Sequence, residues 1–231
     1  HFYWRDSGPA FQWSGPYEIA SGARANPVLI QSRFGEQGNF ELVVPAAGGG
    51  LLFFWRNNDD PAMPWNGPYP FAQASGVIDG VTLIQSNYGS PGNLELIARA
   101  GDWLHFYWRD SGPAFQWNGP YEIANGTAGI PCLIQGRFGQ QGNFELVVPA
   151  AGGGLLFFWR NNDDPAMPWN GPYPFGQSLG SVEAVTLIQS NYDSPGNLEL
   201  VVRAGDRLHF FWRDSGPGFR WNGPYLLAAM P

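Results

Sequence analysis

Cysteine is nearly absent: Cys132 is the single one among 231 residues. No intrachain disulfide can form, and no zinc site can be built on thiolates. Charge is sparse too, with 12 basic against 19 acidic residues, a net charge of −7, and arginines scattered singly along the chain. Such a surface suits neither nucleic acid nor an anionic bilayer. Apolar runs of membrane-spanning length are missing, so membrane insertion is not expected. Histidine occurs only at His1, His105 and His209, with no Ser or Cys partner nearby in sequence, so each reads as a packed or half-exposed side chain. The chain opens at His1 with no Met and no signal-like segment, which fits a processed secreted protein, a fragment or an engineered chain. Secreted and cytoplasmic locations both stay open.

Aromatic residues, at 16%, outnumber charged ones, at 13%, and 32 glycines and 21 prolines punctuate the chain. Long helices do not survive that punctuation. Short strands joined by tight turns do.

The aromatics are periodic. Trp13, Trp65, Trp117, Trp169 and Trp221 each begin a Trp-x-Gly-Pro-Tyr, and each follows the last by 52 residues. A second landmark, Leu-Ile-Gln, begins at Leu29, Leu83, Leu133 and Leu187, and is followed by Gly-Asn, an apolar residue and Glu-Leu. Units alternate in type: residues 34–71 and 138–175 differ only where Glu36 is replaced by Gln140. The near-exact period is therefore two units.

Each unit holds four short apolar runs separated by turn signals. In one copy these are Thr82–Gln85, Asn93–Ala98, Leu104–Trp108 and Trp117–Ile123. Runs this short, bounded by Gly, Pro, Asn and Asp, predict strands. In the third run Leu104, Phe106 and Trp108 face one way while His105, Tyr107 and Arg109 face the other. Both faces are bulky, which predicts a sheet covered on both sides. Four antiparallel strands repeated about every 52 residues predict the blades of an all-β propeller. The coils of a β-solenoid are much shorter, and a β-trefoil has three units.

In repeat length, near-identical copies and aromatic content the sequence resembles the repeat-built propeller lectins, the class of tachylectin-2 and the fungal and bacterial multi-bladed sugar binders. The resemblance covers residues 1–227 and rests on architecture, so it carries no site residues with it. One domain is expected, with a half blade at 1–21 and blades at 28–71, 82–123, 132–175 and 186–227. Eighteen strands make four and a half blades, so closure is expected as a five-bladed type of ring or between chains. Unpaired strands at the ends favour homo-oligomers.

On one side of such blades lie the richer loops, and sugars need flat apolar platforms beside planar polar groups. The candidate ligand-binding residues are Trp65, Trp117, Trp169 and Trp221 as platforms, with Arg56, Arg109, Arg160 and Arg213, Asp110 and Asp214, Asn57 and Asn161, and Gln31, Gln85, Gln135 and Gln189 as polar partners. A packing Trp, beside an Arg paired with Glu41, Glu95, Glu145 or Glu199, is the competing structural reading. Neither cofactor nor metal is expected; Asn57-Asn-Asp-Asp60 lacks the spaced acidic ladder of a calcium loop. Every candidate carboxylate recurs in sister units, which argues against an enzyme with one unique acid and base. The sequence therefore points to a multivalent carbohydrate binder, with glycans as partners and one shallow site per blade or blade junction. A non-catalytic structural or protein-interaction propeller, engineered or part of a larger repeat protein, is the alternative.

Overall fold

The structure, a computed structural model, describes residues 1–229. It opens with a two-stranded sheet, β1 (Phe2–Arg5) and β2 (Trp13–Tyr17). Four sheets of four strands follow. The first contains β3 (Val28–Gln31), β4 (Phe40–Pro45), β5 (Leu51–Arg56) and β6 (Trp65–Phe71). The second contains β7 (Gly80–Gln85), β8 (Leu94–Ala100), β9 (Trp103–Arg109) and β10 (Trp117–Ala124). The third is β11 (Cys132–Gln135), β12 (Phe144–Pro149), β13 (Leu155–Arg160) and β14 (Trp169–Phe175). The fourth is β15 (Ala184–Gln189), β16 (Leu198–Ala204), β17 (Arg207–Arg213) and β18 (Trp221–Ala229). Every pairing is antiparallel between strands consecutive in sequence. Helical structure among the described residues is limited to single 3-10 turns at Gln73–Ser75 and Gln177–Leu179.

The second and fourth sheets pair further than the run lengths suggest, starting at Gly80 and Ala184. The cause is the hairpin. Gly101-Asp102 turns tightly between the paired residues Ala100 and Trp103, whereas the first sheet needs Ala46–Gly50 to turn between Pro45 and Leu51.

The core lies between sheets. One face of the second sheet sets Leu94, Leu96, Ala98 and Tyr107 against Val43, Leu51 and Phe53 of the first. Its other face sets Ile97, Leu104 and Phe106 against Leu133, Phe144 and Leu146 of the third. A third cluster joins the third and fourth sheets in the same way. A strand bulky on both faces is thus buried on both. The first strands of neighbouring sheets touch one another, so they form the inner row. The fourth strands lie outermost and carry an exposed Gly-Pro at mid-strand, at Pro68, Pro120, Pro172 and Pro224, as does β2 at Pro16.

Candidate functional site

The second strand of the first three complete sheets buries a carboxylate, and its counterpart in the fourth, Glu199, is only partly buried. Glu41, Glu95 and Glu145 are each 2% exposed. A Ser hydroxyl donates to one oxygen in two of them, from Ser32 Oγ to Glu41 Oε1 at 2.9 Å and from Ser86 Oγ to Glu95 Oε1 at 2.8 Å. At the matching place before Glu145 the chain has Gly136. Burial pushes Glu41 and Glu95 up to about 7, and Glu145, without a hydroxyl donor, to about 8. In all three the second oxygen, Oε2, is buried with no hydrogen-bond partner.

An arginine from the next sheet faces each carboxylate: Arg109 toward Glu41, Arg160 toward Glu95, Arg213 toward Glu145. Burial lowers each guanidinium pKa, and the nearby carboxylate partly restores it. Among the described residues, pairs within 4 Å join only Arg24 and Arg99 to Asp79, and Arg207 to Asp206. The Arg–Glu couples are therefore not closed ion pairs. Arg109 instead sits over Phe34, Phe53 and Phe115 at 5.7, 4.8 and 4.7 Å, and Arg213 over Phe138, Phe157 and Phe219 at 5.7, 4.8 and 4.7 Å.

These groups line two cavities. Between the third and fourth sheets a cavity of about 380 Å³ is walled by Phe138, Phe157, Trp159, Tyr173, Phe219 and Trp221, with Asn143, Glu145 and Arg213 as its polar groups. Between the first and second sheets a cavity of about 190 Å³ is lined by Phe34, Trp55 and Phe115 with Asn39, Glu41 and Arg109. Phe115 and Phe219 form the outer lip, each held at positive φ (47° and 43°) two residues before the next strand.

The tryptophans at the starts of the fourth strands occupy the same junctions. Trp65, Trp117, Trp169 and Trp221 meet Phe2, Phe53, Phe106 and Phe157 of the preceding sheet at 5.7, 5.8, 6.0 and 5.7 Å. Trp117 and Trp221 also stack flat on Phe71 and Phe175, at 4.3 and 4.4 Å. The stacked faces are occupied, but the indole edges are not: Trp117 Nε1 and Trp221 Nε1 are buried without partners.

The remaining candidates shape loops. Asp110 accepts from Gly112 N at 3.0 Å and Gln116 N at 2.9 Å, and Asp214 accepts from Arg220 N at 3.3 Å. Asn57 and Asn161 accept from Asp59 N and Asp163 N. Arg56 packs over Phe2 and Phe40, its Nε donating to Asn58. Gln31 ties its own loop at Gln37. Gln85, Gln135 and Gln189 fasten neighbouring sheets by accepting from the backbone N–H of Arg33, Asn87 and Arg137. The structure thus gathers Arg109 with Trp117, and Arg213 with Trp221, and sets the Asp, Asn and Gln candidates apart. It adds Phe34, Phe138, Phe115, Phe219 and Trp159. The sequence signal for the lip was a Phe lodged in a Gly-Pro loop at the same distance before Trp13, Trp117 and Trp221.

No known protein family matches the chain, and no curated protein is detectably similar in sequence. Solved structures are similar in fold. The BP39L lectin of Burkholderia pseudomallei aligns over 96% of this chain and 61% of its own, with a TM-score of 0.73 at 22% identity. This chain is a β-propeller. A mutant of Aleuria aurantia lectin in complex with α-methyl-L-fucoside aligns with this propeller over 95% of it and 67% of the lectin, TM-score 0.63, at 13% identity. AofleA from Arthrobotrys oligospora covers 95% of the propeller and 62% of itself, TM-score 0.62, at 12% identity. The chain spans about three fifths of the length of the Burkholderia lectin. No helix among the described residues is long and apolar enough to cross a membrane, and no cluster of three metal-ligating side chains occurs among them.

Proposed function

We propose that this propeller binds carbohydrate in pockets between adjacent blades, and that fucose-type sugars are the ligand class. One observation carries the reading. A carboxylate oxygen and an indole N–H, at Glu41 and Trp117 and again at Glu145 and Trp221, are buried without partners at junctions walled by aromatic rings. Buried polar groups left unpaired cost free energy until something supplies the missing bonds. Sugar hydroxyls donate and accept from adjacent carbons, which matches an acceptor, a donor and a guanidinium placed together. The walls add a surface for C–H groups and suit the methyl group of a 6-deoxy sugar.

The fold likeness supports the ligand class, since one similar structure holds α-methyl-L-fucoside. The lining of the larger pocket includes one carboxylate, Glu145, whereas glycoside hydrolysis ordinarily uses two. The pocket binds rather than cleaves. Repetition on one chain gives avidity for surfaces that display many copies of a glycan.

The test is titration calorimetry with methyl α-L-fucoside on wild type, Trp221→Phe and Glu145→Gln. Trp221→Phe keeps an aromatic ring against Phe175 and removes only the donor, so that site should weaken by about tenfold while the melting temperature holds. Absence of binding by the wild type to this sugar and to a panel of simple hexopyranosides would end the carbohydrate reading.

A further inference from the structure

The chain has three complete blade junctions, and they are not alike. Resting on the carbohydrate reading, we infer that only two of them accept ligand, and that Tyr88 and Asn162 close the third.

The junction between the second and third blades holds the same buried Glu95 facing Arg160. Three substitutions built into the two-unit period change what surrounds them. Where the open pockets have Phe34 and Phe138, this one has Tyr88, whose hydroxyl donates to the Asn162 backbone carbonyl at 2.8 Å and so bridges the two blades. Where the open pockets have Ser111 and Ser215 two residues after the arginine, this one has Asn162. Its Oδ1 accepts from Arg160 Nε at 2.7 Å, and its Nδ2 donates to the Gly142 carbonyl at 2.6 Å. The lip Phe of the open pockets is replaced by Met167.

The result is a different arginine. Arg160 lies 4.0 Å over Phe144 of its own blade, under Tyr88 at 5.6 Å, and is 5% exposed. Arg109 and Arg213 are both partly exposed and border open cavities. Arg109 also spends its Nε, on the Phe115 carbonyl at 3.1 Å, so the difference lies in access: Phe144 and Tyr88 cover the Arg160 guanidinium and shut it off from the open side. The alternation of blade types thereby sets the valency. Identical blades would have offered three sites, and alternating blades offer two.

Calorimetry with methyl α-L-fucoside on the intact chain reads the count directly. Wild type should saturate at about two sugars per chain. The double variant Tyr88→Phe/Asn162→Ser copies the open junctions and should saturate at about three; Tyr88→Phe alone should loosen the bridge and serves as the milder change. Thermal melts of both variants confirm that they fold. Three sites in wild type, or two in a folded double variant, would overturn the inference while leaving the carbohydrate reading intact. No binding by any of the proteins to this sugar or to the hexopyranoside panel would overturn both.

Discussion

A buried glutamate without a full set of partners is the residue on which this site turns. Burial raises Glu145 to about 8 and Glu41 to about 7, against the ordinary 4.5, so the folded protein prefers both uncharged. Stability from that preference is fully present below about pH 4.5 and is lost as pH climbs through 7 to 8. Ligand binding runs the other way, because ionised Oε2 is the better acceptor for a sugar hydroxyl. Between pH 8.5 and 6, affinity at the Glu145 pocket should fall, by up to about tenfold per pH unit, while the melting temperature of the free protein rises. Glu145→Gln should flatten both trends at that pocket, and calorimetry and melts across this range check them. Matching trends would show that the neutral acid is the binding form. The sequence exposed the Glu and Arg but paired them as ions, since nothing in one unit says that the two come from different blades and stand apart. It likewise found every Trp, yet stacking on Phe71 and Phe175 depends on where two blades meet. Cys132 stands where the other units have Val28, Thr82 and Thr186: it is partly buried against Val147, Leu187 and their neighbours, and burial pushes its thiol up, away from reactivity.

At the scale of the strand, more was legible. Short apolar runs between turn residues specify all four strands of a blade, because a strand bulky on both faces can be satisfied only between two others. The fourth strand carries a feature that the runs conceal. Its pairing slips where Trp-x-Gly-Pro-Tyr passes Phe157 and Trp159, skipping between Asn170 and Tyr173. Gly171 makes the slip at φ 129°, where an added Cβ would lie 2.7 Å from Phe158 Cδ1 and 2.8 Å from the Phe157 carbonyl. Gly171→Ala is expected to cost at least about 2 kcal/mol through backbone strain and overpacking. A melting temperature lowered by about 4–8 °C is the readout. An unchanged melt would mean that the bulge is not a constraint. The two-unit period was equally plain in the sequence, but its meaning was not, since the closed junction joins Tyr88 to Asn162 across 74 positions.

Across the whole molecule, four Phe–Trp contacts join successive sheets, and a fifth is left open at both ends. Trp13 is 69% exposed, and Phe210 is partly exposed where Phe53, Phe106 and Phe157 are buried. Glu199 and Arg5 are the matching uncoupled pair. Trp13 and Phe210 are the two halves of the contact that the other sheets make, so a second copy of this chain is expected to present its Trp13 to Phe210. Sedimentation should show mass rising with concentration, and Trp13→Ser should suppress the rise. A wild type that stays monomeric at high concentration would refute it. Such a chain also has many outer strands with nothing beside them, each an invitation to pair edge to edge with a neighbour and seed aggregates. Pro16, Pro68, Pro120, Pro172 and Pro224 lie on those outer strands, exposed and lacking an amide hydrogen. An incoming strand finds a missing donor in each of them. The signature that marks the repeat is in this respect a guard against amyloid-like growth.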